Sequence, residues 1–100
     1  HTWLNKAANT LKAGSPTSAA LIYRQWQNGQ QLSLADCFRQ ELTLSVQFAR
    51  HPDFIEGVRA LLVDKDQQPQ WQPTTIDELT DAWLDEHYQP LWPVHPLADL

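Results

Sequence analysis

The residues able to do chemistry in this chain are few and scattered. Four histidines (His1, His51, His87 and His95) and one cysteine, Cys37, are the candidate metal ligands and nucleophiles. None pair at metal-ligand spacing, since the sequence holds no His-x-x-x-His and no Cys-x-x-Cys. The histidines therefore read as surface or capping residues. Cys37 falls on the apolar face of a helical stretch, where a free thiol behaves as a small hydrophobe, and no base is apparent beside it to make it a nucleophile. Asp64-Lys65-Asp66 begins like a calcium loop but lacks the glycine and the terminal glutamate that such a loop needs. Asp53 and Glu56 could in principle do acid–base work. Helix capping explains both with nothing left over, Asp53 as the cap and Glu56 reaching back from three positions on. Gly14, Gly29 and Gly57 are the only glycines, so there is no glycine-rich phosphate loop. Taken alone, these residues describe a helical module without its own active site.

The elements that would carry them are helices. Trp3, Leu4, Ala7, Ala8 and Leu11 recur at three- and four-residue spacing, which predicts an amphipathic helix over 2–13 closed by Gly14. Ser15-Pro16-Thr17-Ser18 supplies a capping serine and a first-turn proline for a second helix through Leu21, Ile22 and Trp26, stopped at Asn28-Gly29. Ser33 to Asp36 opens a third as a capping-box variant, with Leu34, Phe38, Leu42, Ser45, Val46 and Ala49 marking its apolar face as far as His51-Pro52. Asp53 to Val63 makes a fourth, ending where two aspartates meet the negative end of the helix. Residues 67–75 read as an extended, ordered connector and Ile76 to Leu79 as a turn. Thr80 caps a last helix from Asp81 to Tyr88 that buries Trp83, Leu84 and Tyr88. Three prolines after Gln89 forbid regular structure and predict a tail lying on a surface. The expected fold is all-α, about five helices without a sheet, with a helical region over 1–88 and a proline-rich extended tail over 89–100.

Composition narrows the function. One hundred residues suit one domain or one piece of a larger one, and a core that is possible but thin. The 42% hydrophobic content argues against disorder. Five tryptophans are many for this length, and either fill the core or meet a surface outside this chain. A net charge of −5 with no basic stripe argues against nucleic-acid binding. No apolar run approaches the ~20 residues of a membrane span. A lone cysteine cannot form an internal disulfide and suits a reducing compartment, so the cytoplasm is the expected location. The sequence contains no methionine and starts as neither a signal peptide nor an initiator segment, so it reads as part of something longer.

"DFIEGVRALLVDKDQQPQW", residues 53–71, raises a further question, because Gly57 interrupts an otherwise helical run at a cost of ~1 kcal/mol relative to alanine. This block, together with Ser15-Pro16-Thr17-Ser18 some forty residues earlier, resembles the carboxy-terminal region of the crotonase (enoyl-CoA hydratase/isomerase) superfamily. Its 3-hydroxyisobutyryl-CoA hydrolase branch is the closer match. There a helix reading Asp-Phe-x-Glu-Gly-Val-Arg-Ala runs into Asp-Lys-Asp and then Pro-x-Trp, corresponding to Asp53, Phe54, Glu56, Gly57 and Arg59, then Asp64, Lys65 and Asp66, then Trp71. "LSLADCFRQEL" is similar to the family's Leu-x-Glu helix through Leu34 and Glu41, and "IDELTDAWLDEHY" to its closing acidic helix. After Glu41 the chain departs from the hydrolase branch, with Leu42-Thr43 in place of Tyr-Arg.

The resemblance implies a parent that handles CoA thioesters, with an oxyanion hole of two backbone amides and a carboxylate-activated water, as in the thioester hydrolysis of valine breakdown. All of that machinery belongs to a core preceding the part resembled, so this chain has no catalytic residues and binds no cofactor alone. Its helices would cover the acyl pocket and supply subunit contacts, and its partners would be that N-terminal core and further copies of itself. Gly57 would let its helix press against a neighbouring backbone. Arg59 and Glu56 would pair on the exposed side. Lys65 is the one candidate for contact with CoA phosphates, against a plain solvated helix end. The alternative to an enzyme part is a free-standing interaction module whose tryptophan-rich faces bind a partner. A metal-dependent hydrolase would need ligands that the sequence does not offer.

Overall fold

The computed structural model describes residues 2–100. Helix α1 spans Thr2–Ala13, α2 Pro16–Gly29 and α3 Leu34–Arg50. Helix α4, Pro52–Val58, runs without a break into a π-helical turn over Arg59–Val63. A 3-10 turn at Ile76–Glu78 precedes α5, Asp81–Glu86. The described residues contain no strand, and the all-α expectation holds.

Three of the helix starts follow directly from their capping residues. The hydroxyls of Ser15, Ser33 and Thr80 accept the backbone N–H of Ser18, Asp36 and Trp83 respectively, each satisfying a first-turn donor that the helix itself cannot. Pro16 sits in the first turn of α2, where its missing N–H costs nothing. Helix α1 ends at Ala13, just before Gly14, as its spacing predicts, whereas α2 runs through Gly29 to close in a right-handed turn at Gln30; neither glycine adopts a positive φ.

The core is small and mostly polar. Leu21, Leu44 and Ala60 are its buried apolar residues, against buried Ser15, Thr17, Thr43, Gln47, Asp53 and His87. Helix α1 buries none of its residues; Trp3 is 70% exposed and Leu11 68%, so its apolar face has no cover among the described residues. The radius of gyration is 15.3 Å, against ~13 Å for a compact domain of this length. That looseness fits a set of helices whose apolar faces are not all turned toward one another.

The face of α3 is a further departure. Leu34, Phe38, Ser45 and Ala49 are exposed, while Thr43, Leu44 and Gln47 are buried. The reason lies in the tail. Arg39 donates from Nε to the carbonyl of Leu97 at 2.9 Å and from Nη2 to that of Leu100 at 2.6 Å. His95 donates from Nε2 to the Arg39 carbonyl at 2.9 Å and accepts the Leu97 N–H on Nδ1, which fixes its tautomer. Gln47 donates to the carbonyl of Gln89 at 2.9 Å. A polar stripe of α3 is thus buried under backbone, while of the predicted apolar face only Leu42 and Val46 stay half-buried.

Candidate functional site

The residues shared with the sequence motif converge on the junction between α1 and α2. Ser15 is buried there, and its hydroxyl donates to the carboxylate of Asp53 while accepting the Ser18 N–H. The other carboxylate oxygen of Asp53 accepts the backbone N–H of Gln72 at 2.8 Å. Asp53 is 3% exposed, so its charge is kept in the interior by hydrogen bonds from two distant segments. Thr17, 1% exposed, accepts the indole N–H of Trp83 at 3.0 Å and so ties the same junction to α5. Pro16 is buried between them.

Asp53 therefore does not cap α4. His51 holds the cap position without a side-chain bond, Pro52 fills the first turn, and Asp53 lies one residue inside. Glu56 does not reach back either. It meets Arg59 in a two-pronged pair, Oε1 to Nε and Oε2 to Nη2, both at 2.7 Å, and accepts the Gln70 N–H at 2.6 Å. Arg59 also reaches Asp64 at 2.9 Å and Asp66 at 2.7 Å. One guanidinium thus gathers three carboxylates and closes the loop after the π turn. The Arg59 bond, followed by the Gln70 N–H, holds the Glu56 carboxyl at about 2, below its ordinary 4.5. Asp66 is lowered by Arg59 and then by the Gln68 N–H, while its partners push Arg59 further up. The pairing of Glu56 with Arg59 that their spacing suggests is one edge of this larger network.

Gly57 does make room, but for a side chain rather than a backbone. A Cβ at this position would lie 3.3 Å from Cη2 and 3.6 Å from Cζ3 of Trp71. The indole is anchored in turn by its N–H, which donates to the Ala13 carbonyl at 2.8 Å. Trp71 thus bridges the end of α1 and the last turn of α4. These residues line an open, mainly apolar groove of about 550 Å³, with Ser15, Asp53 and Gly57 along it and Phe48, Phe54 and Leu61 among its apolar walls. Phe54 and Phe48 meet edge to face at 6.4 Å.

Two candidates stand apart from this assembly. Glu41 is exposed on α3. Lys65 is exposed at the loop tip with φ at 57°, and among the described residues it makes no ion pair. The aspartates beside it are turned onto Arg59, which leaves the ammonium facing outward. The groups that the sequence did not reveal are the backbone N–H donors of Gln70 and Gln72 and the buried ring of His87. His87 is 0% exposed, contrary to the surface reading of the histidines, whereas Trp83, Leu84 and Tyr88 are half-buried. Spacing in sequence carries no signal for contacts of this range.

Residues 1–88 match the family model described as enoyl-CoA hydratase/isomerase. The mitochondrial 3-hydroxyisobutyryl-CoA hydrolase of Dictyostelium discoideum is 42% identical over 90 residues, covering 89% of this chain and 24% of the relative. The Gallus gallus enzyme of the same name is 43% identical over 86 residues, 86% of this chain and 22% of the relative. The Homo sapiens enzyme is 42% identical over 77 residues, 77% of this chain and 20% of the relative. The chain thus spans about a quarter or less of the length of these curated relatives. Their names place them in mitochondria, which overturns the cytoplasmic expectation: a single free cysteine speaks only to redox state, and that is no guide between two reducing compartments. With the Ser15–Asp53 junction and the Gly57–Trp71 contact built from the shared motif, and a family match covering residues 1–88, this chain belongs to the enoyl-CoA hydratase/isomerase family.

Proposed function

We infer that this chain is the helical brace of a mitochondrial 3-hydroxyisobutyryl-CoA hydrolase, a thioesterase of valine breakdown. The carrying observation is the uncovered apolar surface: the outer face of α1, with Trp3 and Leu11 exposed, together with the open groove beside Asp53 and Gly57. In this reading the rest of the polypeptide builds the acyl-CoA site and these helices pack over it, with copies of the brace meeting at subunit contacts. The named relatives, four to five times longer than the matched segment, support a core outside it. Hydrolysis proceeds by attack of water on the thioester carbonyl, with the developing oxyanion held by fixed donors and CoA leaving as the thiol. This chain contributes none of the reacting groups. Its polar side chains are spent on holding the fold together: Ser15 to Asp53 and Thr17 to Trp83 join helices, and Glu56 with Arg59 fastens the following loop onto α4. Lys65 is the one residue assigned to substrate, as a contact for CoA phosphates.

The test compares the intact polypeptide with the hundred-residue chain, following thiol release from 3-hydroxyisobutyryl-CoA. The intact polypeptide is expected to turn over and the chain alone to be inert. Lys65→Ala should raise KM with kcat unchanged, as expected when uniform binding is removed. Turnover by the isolated chain, or an intact polypeptide inactive on every acyl-CoA, would overturn the assignment.

A further inference from the structure

His51 and His87 lie face to face, their ring centroids 3.8 Å apart and their planes 28° from parallel. Trp83 stands edge-on to both, at 5.3 Å from His51 and 5.4 Å from His87, and Phe48 borders His87 at 6.3 Å. Each ring directs Nδ1 at a backbone carbonyl four residues earlier, His51 to Gln47 at 2.6 Å and His87 to Trp83 at 2.9 Å. A carbonyl only accepts, so both Nδ1 atoms carry hydrogen and both Nε2 atoms present lone pairs when the rings are neutral. The two Nε2 atoms differ in their surroundings. That of His51 faces a carboxylate oxygen of Glu86 at 3.5 Å, so a proton placed there is met by an opposite charge. That of His87 is buried with no partner among the described residues. A proton there would create a desolvated cation with an unsatisfied N–H, stacked on a second imidazole.

The charged and titratable neighbours leave this asymmetry in place. Asp53 from α4 lies near, but its oxygens are occupied by Ser15 and Gln72. Arg24 from α2 is engaged by Asp85 at 2.6 Å and Asp81 at 3.5 Å. Burial pushes the Tyr88 phenol up, so it stays neutral. Burial, and then the adjacent His51, lower His87 below the ordinary histidine value, outweighing the opposing pull of the Trp83 carbonyl, Glu86 and Asp53.

We propose that this stacked pair is an acid-sensitive latch: it holds α5 and the tail after it against the corner between α3 and α4, and opens when a proton must be taken up by His87. The sign follows from the burial of neutral His87. Its contribution is fully present above the ordinary histidine value of ~6.5 and is lost as pH falls, because released α5 binds a proton that docked α5 excludes. The release equilibrium should grow ~10-fold for each pH unit lost. The inference is independent of the acyl-CoA assignment.

Hydrogen–deuterium exchange by mass spectrometry on the intact polypeptide, corrected for intrinsic rates, tests it. Protection of residues 80–90 should fall ~10-fold per pH unit between about pH 6.5 and 5, while α3 stays protected. His87→Phe should flatten that dependence. Constant protection of 80–90 in the wild type, or the same dependence in His87→Phe, would overturn the latch.

Discussion

Substituting Gly57 tests whether the indole of Trp71 is what keeps a glycine where α4 runs into its π turn. Alanine gains ~1 kcal/mol of helix propensity over glycine. Against this, its Cβ would stand 3.3 Å from Cη2 of Trp71, inside the ~3.5–4.0 Å at which carbon atoms attract best. A ring shift of a few tenths of an ångström relieves that, and the 2.8 Å bond from the indole N–H to Ala13 can stretch so far without breaking. Gly57→Ala should therefore be close to neutral. Gly57→Leu cannot be relieved in this way, since its branch falls where the ring lies, and should cost ~1–3 kcal/mol by overpacking. Urea midpoints of the intact polypeptide give both values. The decisive measurement is the same pair in a Trp71→Ala background, where the ring is gone. There Gly57→Ala should stabilise by ~1 kcal/mol and the penalty for leucine should largely vanish. If leucine costs the same with and without Trp71, the indole is not the reason for the glycine.

Two further outcomes follow from the polar junctions. Ser15→Ala and Asp53→Ala, measured alone and together by denaturation, should couple by ~1.5–3 kcal/mol, the range for a hydrogen bond to a charged group; a coupling under ~0.5 kcal/mol would mean that the bond does not join α2 to α4. The Glu56 carboxyl, held at about 2 instead of 4.5, contributes fully above pH 4.5 and is lost as pH falls from there through 2. The backbone amide of Gln70 should accordingly titrate near 2 by nuclear magnetic resonance and stop doing so in Glu56→Gln, whereas a midpoint near 4.5 would contradict the bond to Arg59.

Much of the helical layout was legible because it is local. The capping hydroxyls of Ser15, Ser33 and Thr80 act within three residues, and the first-turn proline of α2 is readable from its place alone. The same rule applied to His51-Pro52 places the cap of α4 two residues before Asp53, at His51, and frees that carboxylate for Ser15 and Gln72. What stayed hidden depends on segments far apart in sequence. The outward face of α3 follows from a tail some fifty residues on, and the burial of His87 from a ring stacked across thirty-six positions. The glycine was recognised as a point of close approach, but spacing could not tell an indole from a backbone. For the motif at 53–71, resemblance supplies the membership while the geometry supplies a reason for most of its residues: Asp53, Phe54, Gly57 and Trp71 meet other helices, and Glu56, Arg59, Asp64 and Asp66 fasten the loop onto α4.

The way α3 grips the tail sets what evolution can change. Arg39 and Gln47 hold the tail by its main-chain carbonyls, and His95 is the one tail side chain that answers them. Carbonyls are the same whatever residue carries them, so this arrangement reads the path of the tail and is largely blind to its spelling. Across related sequences the last dozen positions, His95 apart, should therefore drift freely, whereas exchanging either donor on α3 would require a matching change elsewhere.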